Sequence, residues 1–543
     1  MEFRKIMSTT ICCRPTALIV GIFNLTLVLF ISCNNLPDES RTMRPNVILI
    51  LADDQGYGDL GSYGSKSIKT PNIDQLAKEG IRFTDFYVHP ICSPTRAALL
   101  TGCYAPRTGF ADVQLWGSPF GLNPEEVTIA EVLKNQGYAT ACIGKWHLGE
   151  RDVFAPNRQG FDYFYGIRLV NGTQKFENFA VPFYRNDSLL TMRPDHSLMT
   201  GNFTKESISF IEKSKESPFF LYLAYTMPHI PVYPGKQFRG KSGVNLYADA
   251  VEEIDWSVGQ IVEKLEEEGL DENTLIIYLS DNGPWAGHGD QSGSAGPLRG
   301  SKTSTWEGGV RVPCIMKWKN TIPASIVYRE ITGIIDIAPT IAAIAGIRMS
   351  DDLVFDGKNL FQYIKEKENV GVPHEVYYHY AGTWLQAIRS GKWKLHFARP
   401  EKRPGIYGEC APWFTQKAEI LPEDLLFDLE MDVGETRNLA GEYPEVVEQL
   451  TNLANWARED IGDYGTKGNN SRQIGSDYPE LTDISQYPQT PYARAIADSM
   501  AAEMRAFQRN RLEYLVQQDL VSLNEQEKEE LIFYQETLIN KIK

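Results

Sequence analysis

The stretch NVILILADDQG (residues 46–56) runs six apolar residues, Val47 to Ala52, straight into two aspartates. A β-branched run without polar alternation reads as a strand covered on both faces, and such strands belong to parallel sheets flanked by helices. Asp53 and Asp54 then stand at its C-terminal end. The same pattern recurs outward along the chain. The helical TIAEVLKNQG (residues 128–137) leads to YATACIG (residues 138–144), which delivers Lys145 and His147. PFFLYLAYTMPHIP (residues 218–231) ends near His229, and the amphipathic VEEIDWSVGQIVEKLEEEGL (residues 251–270) precedes TLIIYLSDNG (residues 274–283), which ends in Asp281 and Asn282. Alternating strands and helices predict a large, mainly parallel α/β sheet whose ligands collect at the carboxyl ends of the strands. Four separate strand ends are therefore expected to meet in one place.

Past residue 365 the runs HEVYYHY, WLQAIRSGKWKLHF and LLFDLEMD are shorter and alternating, which suits a small antiparallel sheet. The expected organisation is a catalytic domain over residues 44–364, an antiparallel-sheet subdomain over 365–490, and a charged helical extension over 491–543. The chain has 543 residues, 42% of them hydrophobic and 23% charged, as a folded globular protein does. Its formal net charge of −16 excludes nucleic-acid binding through a global basic field, so an anionic substrate needs local cations.

Residues 1–32 read as an export signal. Arg4, Lys5 and Arg14 precede the apolar ALIVGIFNLTLVLFIS (residues 17–32), shorter than a membrane span of about 20 residues. The ending FISC is similar to a bacterial lipobox, with Phe30 where leucine is usual, which makes Cys33 a candidate lipidation site and residues 33–43 a linker. The alternative is an ordinary signal peptide with Cys33 incidental. Beyond the signal stand Cys92, Cys103, Cys142, Cys314 and Cys410, without the paired short spacing of a zinc site. They can form disulfides in an oxidising compartment or serve as small buried residues.

Strand-end aspartates often only cap the next helix. The carboxylates of Asp53, Asp54 and Asp281, brought together beside Asn282, would repel one another unless a cation joined them, and hard oxygen donors point to Ca²⁺ or Mg²⁺. Arg96, Lys145, His147, His229 and Lys302 each lie beside a proposed strand or a Gly-rich turn. Gathered at one sheet edge they would bind a tetrahedral oxyanion. This leaves sulfate and phosphate unresolved.

ICSPTRAALLTG (residues 91–102), with Cys92, Pro94 and Arg96 at alternate positions, resembles the sulfatase signature. PNVILILADDQGYGDLG, GKWHLG, TMPHIP, SDNGP and GPLRGSKTSTWEGGVRVP match further blocks in the family's order, from about Arg44 to Leu439. The last block is similar to those of arylsulfatase A and N-acetylgalactosamine-6-sulfatase. The chain thus resembles the formylglycine-dependent type I sulfatases of the alkaline-phosphatase-like superfamily. Thr95 stands where many members have serine.

The resemblance implies that Cys92 is oxidised to formylglycine (3-oxoalanine) by a maturation enzyme and becomes the nucleophile. A serine would end as a stable sulfate ester, whereas a hydrated aldehyde carries a second hydroxyl whose deprotonation expels sulfate. It further implies that Asp53, Asp54, Asp281, Asn282 and the modified Cys92 hold Ca²⁺. Arg96 would hold the hydrate and Lys145 the sulfate. His147 would take the second hydroxyl's proton, and His229, with Lys302, would serve the leaving group. The glycines of SKTSTWEGGVRVP serve tight turning and Glu307 serves as a tether.

Export plus family predicts a bacterial enzyme acting on sulfated polysaccharides, algal (ulvan, carrageenan, fucoidan) or glycosaminoglycan, from an outer-membrane, periplasmic or secreted position. Trp116, Trp285, Tyr233, Trp384 and Arg239 are candidates for sugar subsites, and the AGTWLQ loop (residues 381–386) for closing over the site. The rival readings are a phosphatase or phosphodiesterase of the same superfamily, and an inactive surface glycan-binding protein.

Overall fold

A computed structural model describes residues 44–115, 117–171, 181–286, 288, 291–349, 353–365, 371–400 and 420–477. The expected signal, the linker with Cys33, the helical extension, Trp116 and Cys410 lie outside the described residues.

The main sheet has ten strands. In chain order they are β1 (Asn46–Ala52), β2 (Ile81–Phe83), β3 (Ala139–Lys145), β4 (Tyr163–Ile167), β5 (Phe183–Arg185), β6 (Ser188–Thr191), β7 (Phe219–Ala224), β8 (Thr274–Ser280), β9 (Cys314–Lys317) and β10 (Ile326–Tyr328). Their spatial order is β10-β2-β9-β8-β1-β7-β3-β4-β5-β6. The central run β8-β1-β7-β3-β4 is parallel throughout; β9, β5 and β6 extend it through antiparallel pairings, β2 pairs antiparallel to β9, and the outermost β10 pairs parallel to β2. All seven residues of β1 are buried, as its uninterrupted apolar run requires.

The period of two divides this strand between two cores. Val47, Leu49 and Leu51 face a core shared with α2 (Cys92–Thr101), α3 (Ile129–Lys134) and α6 (Ile337–Ile344). Ile48 and Ile50 face the core built with α1 (Pro71–Glu79), α4 (Met199–Ser214) and α5 (Leu246–Glu267). The helix ends follow local chemistry. Thr128 and Glu131 close a capping box at the start of α3. Asn245 accepts from the Ala248 N–H, so α5 begins at Leu246, ahead of the run at Val251 that marks it in the sequence.

The smaller sheet is antiparallel, in the order β11 (Tyr377–Ala381), β12 (Trp384–Ser390), β13 (Trp393–His396) and β14 (Leu425–Asp428). Leu385, Ile388, Leu395 and Leu426 join the same core as α2. A buried ion cluster fastens this sheet to the segment after Lys302. Lys394 Nζ donates to Glu307 at 2.8 Å and lies 3.2 Å from Glu435, while His396 Nε2 bonds Glu435 at 2.8 Å. Glu307 also accepts from the Tyr87 hydroxyl (2.8 Å) and Arg311 (3.1 Å), so it tethers the loop.

Glu253 of α5 anchors the loop that follows His229 by accepting from the Gly235 N–H at 2.6 Å. Burial pushes its carboxyl up to about 7 from an ordinary 4.5. Between those values the folded chain holds a proton that the unfolded chain has lost, so stability is expected to fall as pH rises from about 4.5 to 7. Glu253→Gln is expected to remove on the order of 1–3 kcal/mol of this slope. Urea midpoints at pH 5 and pH 8 check it; equal shifts for both proteins would refute the assignment.

Candidate active site

The ends of β1, β3, β7 and β8 do converge. Backbone hydrogen bonds continue past the strands, from Asp53 N–H to Met227 O and from Asp281 N–H to Ala52 O, both at 3.1 Å. The two aspartate-bearing ends are locked together where the Asp54 N–H donates to Asp281 Oδ1 at 3.1 Å. Gly283 lets the next turn pack closely, since a Cβ there would lie 1.8 Å from the Gly308 carbonyl oxygen.

Cys92 is the first residue of α2, a helix buried along its whole length. Its sulfur and one carboxylate oxygen each from Asp53 and Asp281 lie within 4.8 Å of one another, as do single ligand atoms of Asp53, Asp54 and His229. Arg96, one turn on, donates to Asp281 Oδ2 through Nη2 (2.7 Å) and Nε (3.2 Å), and to the Lys145 carbonyl through Nη1 (2.8 Å). Its Nη2 also lies 3.6 Å from Asp53. Lys145 Nζ pairs with the other Asp53 oxygen at 2.7 Å, Lys302 Nζ donates to Asp54 Oδ1, and Asn282 Nδ2 donates to that same oxygen at 2.8 Å.

Three buried oxygens of this cluster have no hydrogen-bond partner among the described residues: Asp53 Oδ1, Asp54 Oδ2 and Asn282 Oδ1. Buried acceptors are rarely left so. Burial, followed by the Asp53 charge, pushes the Asp281 carboxyl up. Orphaned hard oxygens among crowded carboxylates suit a divalent cation, and Asp53, Asp54, Asp281 and Asn282 are the residues that would hold it. Burial pushes the Cys92 thiol up despite Lys145 and Lys302, so an unmodified Cys92 is a poor nucleophile here.

The histidines differ in tautomer, assigned from their hydrogen bonds. His147 Nε2 lies 3.2 Å from the Gln114 carbonyl, which can only accept, so Nε2 carries the hydrogen and the buried Nδ1 keeps a bare lone pair. Burial, then Lys145 and Arg96, hold this ring well below the usual imidazole range, which keeps it neutral with the Nδ1 lone pair unprotonated. His229 bonds the Ile230 carbonyl through Nδ1 and turns Nε2 toward Asp54 at 3.7 Å. Burial also lowers His229, with the Asp54 carboxylate opposing.

Three residues of the site hold the left-handed conformation without being glycine: Asp54 (φ 68°), His147 (φ 59°) and Thr303 (φ 73°), next to Lys302. Such conformations cost about 1–3 kcal/mol each and persist only where surroundings enforce them. The Thr303 N–H bonds Pro90 O at 2.7 Å and the Lys302 N–H bonds Pro284 O at 2.9 Å, which fixes this loop against the segment before α2. Reading the sequence missed Gln114, which orients His147. It also missed Tyr247 and Asp59, which brace the first turn: Tyr247 donates to Asp59 Oδ2 at 2.6 Å and reaches the Asp54 carbonyl at 3.2 Å.

Of the subsite candidates, Trp285 packs on His229 and Lys302. Tyr233 packs at a tilt against His196, Arg239 is exposed, and Trp384 lies buried at the start of β12 against Tyr464. Cys103, Cys142 and Cys314 are buried and form no disulfide among the described residues.

Residues 45–347 match the family described as Sulfatase, and residues 372–481 match the C-terminal region of aryl-sulfatase. The chain is 35% identical to steryl-sulfatase of Homo sapiens, over 74% of this chain and 85% of that protein. It is 34% identical to N-acetylgalactosamine-6-sulfatase of Canis lupus familiaris, over 78% and 88%. Among solved structures, the PsFucS1 sulfatase from Pseudoalteromonas sp. superposes with a TM-score of 0.70 at 30% identity, covering 80% of this chain and 93% of that one. Ps i-CgsB in complex with k-i-k-neocarrahexaose gives 0.67 at 28% identity, covering 82% and 98%. With a match across more than half its length and the acidic, cationic cluster at its strand ends, the chain belongs to the sulfatase family and is a sulfuric ester hydrolase of the alkaline-phosphatase-like fold.

Proposed function

We propose that the protein removes sulfate from sulfated polysaccharides or their oligosaccharides, using a formylglycine made from Cys92 and a bound Ca²⁺. The observation that carries this reading is the position of Cys92, beside Asp53 and Asp281 in a buried ring that also holds Arg96, Lys145 and Lys302. Bound among Asp53, Asp54, Asp281 and Asn282, the cation supplies Lewis-acid polarisation and a lowered nucleophile pKa. A hydrated aldehyde at residue 92 supplies two hydroxyls on one carbon, the first to attack sulfur and the second to lose the proton that releases sulfate.

The chain's own side chains do the rest. Lys145 and Lys302 hold the ester's anionic oxygens, and Arg96 keeps Asp281 and Asp53 in place. His147 takes a proton at Nδ1, its Nε2 hydrogen being committed to Gln114. His229 serves the departing sugar oxygen from Nε2, with Lys302 beside it. The ester's negative charge works with Asp54 to favour the proton on that nitrogen, against the lowering by burial.

The sugar assignment draws on the similarity to Ps i-CgsB, solved with k-i-k-neocarrahexaose, and to a 27% identical sulfatase of Bacteroides thetaiotaomicron glycosaminoglycan metabolism. Carrageenan, ulvan, fucoidan and glycosaminoglycan fragments are therefore the substrates to try. Export with lipid attachment at Cys33 would put the enzyme where such polymers are met, and a formylglycine-generating enzyme is the required partner.

The deciding experiment is mass spectrometry of the Cys92 peptide, from protein made with the maturation enzyme, alongside sulfate release from these glycans. A loss of about 18 Da, cysteine to unhydrated formylglycine, together with sulfate release is expected. An unmodified thiol in fully active protein would overturn the reading. EDTA is expected to suppress turnover by on the order of 10²-fold or more, with Ca²⁺ restoring it better than Mg²⁺. Full activity in protein shown to be metal-free by elemental analysis would remove the cation from the mechanism.

A further inference from the structure

The catalytic groups grade outward in burial. Asp53, Asp281, Asn282, Arg96, Lys145 and His147 are 0% exposed, Cys92 and Asp54 2%, Lys302 4% and His229 7%. The outermost pair is the one that serves the leaving group, so the alcohol portion of the ester departs past His229 and Lys302. One side chain stands over both. The Trp285 indole centroid is 5.6 Å from the His229 ring and 4.6 Å from Lys302 Nζ, and Trp285 is itself only partly buried.

Trp285 is also held in place. Its carbonyl accepts from Ser292 Oγ at 2.6 Å, and its ring meets His288 edge-on at 4.8 Å. The Val232 N–H donates to Gln291 Oε1 at 3.3 Å, which ties this loop to the segment that carries His229. A fixed aromatic surface beside the leaving oxygen, rimmed by polar groups, suits the C–H face of a ring alcohol.

We infer that Trp285 determines substrate choice on the leaving-group side, as the platform against which a sulfated pyranose packs, selecting it over open-chain alcohols. The inference rests on the saccharide reading above and adds the residue that enforces it. Any disturbance of His229 or Lys302 caused by losing the indole slows the ester of the more basic alcohol, hexanol, at least as much as the sugar ester, so it cannot lower the sugar-to-hexyl ratio. A platform acts only on esters whose alcohol can cover it, so the ratio of two substrates isolates its effect.

The test compares kcat/KM for two esters in wild type, Trp285→Ala and Trp285→Phe, all isolated with formylglycine content measured. One ester is the monosaccharide O-sulfate turned over fastest by wild type; the other is hexyl sulfate. The sugar-to-hexyl ratio is expected to fall at least ten-fold in Trp285→Ala and to stay within about three-fold in Trp285→Phe, which keeps an aromatic face. Equal losses for both esters would reduce Trp285 to a support for Lys302 and His229 and overturn the inference. Wild-type turnover of hexyl sulfate with none of any sugar sulfate would instead overturn the saccharide reading beneath it.

Discussion

Cys92→Ala is expected to abolish sulfate release, a loss on the order of 10³-fold or more, while leaving the fold intact. Residue 92 is 2% exposed and opens a helix whose ten residues are all buried, but alanine fits the first turn and removes only one sulfur atom from a polar pocket. The lost rate is therefore chemical. Cys92→Ser sharpens the argument. A serine oxygen that attacks sulfur displaces the alcohol and keeps the SO₃ group as a sulfate ester, with no second hydroxyl on its carbon to expel it. One turnover and a mass gain of about 80 Da, one SO₃, is the expected outcome for protein whose serine is unmodified. Sustained turnover by that protein, read by intact mass beside released sulfate, would show that residue 92 need not carry an aldehyde.

The sequence announces the strand ends more clearly than the groups that make them work. Val47 to Ala52 could only be a doubly covered strand, and the polar pairs that follow β1 and β8 meet as the parallel topology demands. The short outlying strands were not legible, because three- and four-residue pieces such as Ile81–Phe83 carry too little periodicity. Left-handed Asp54, His147 and Thr303 left no mark either, since their conformation is imposed by bonds to distant backbone such as Pro90 O. Gln114 looks like any loop glutamine until its carbonyl is found on His147. Lys394 lies in a short alternating run and Glu435 in the polar stretch after it, positions that suit solvent-facing charges, yet both are 0% exposed. Their partner Glu307 lies in the Gly-rich block, so the charge balance of that cluster is a property of the packed molecule alone.

Arg96→Ala is expected to lose activity by on the order of 10²–10³-fold and stability by about 3–5 kcal/mol, the range for removing one partner of a buried ion pair. Arg96 is 0% exposed and lies between two carboxylates, bonding Asp281 twice and approaching Asp53 at 3.6 Å. Without it Lys145 alone faces Asp53, and Asp281 loses its guanidinium partner. Arg96→Lys restores charge but not the forked donor, nor the bond to the Lys145 carbonyl that shares it, so it should recover stability more than rate. The cation response separates this account from simple loss of packing. Removing a positive charge from among the carboxylates strengthens their attraction for Ca²⁺, and a ligand that binds only the folded state raises its melting temperature. Saturating Ca²⁺ should therefore raise Tm by more in Arg96→Ala than in wild type. Equal increments in differential scanning calorimetry would mean that Arg96 and the cation act on separate groups.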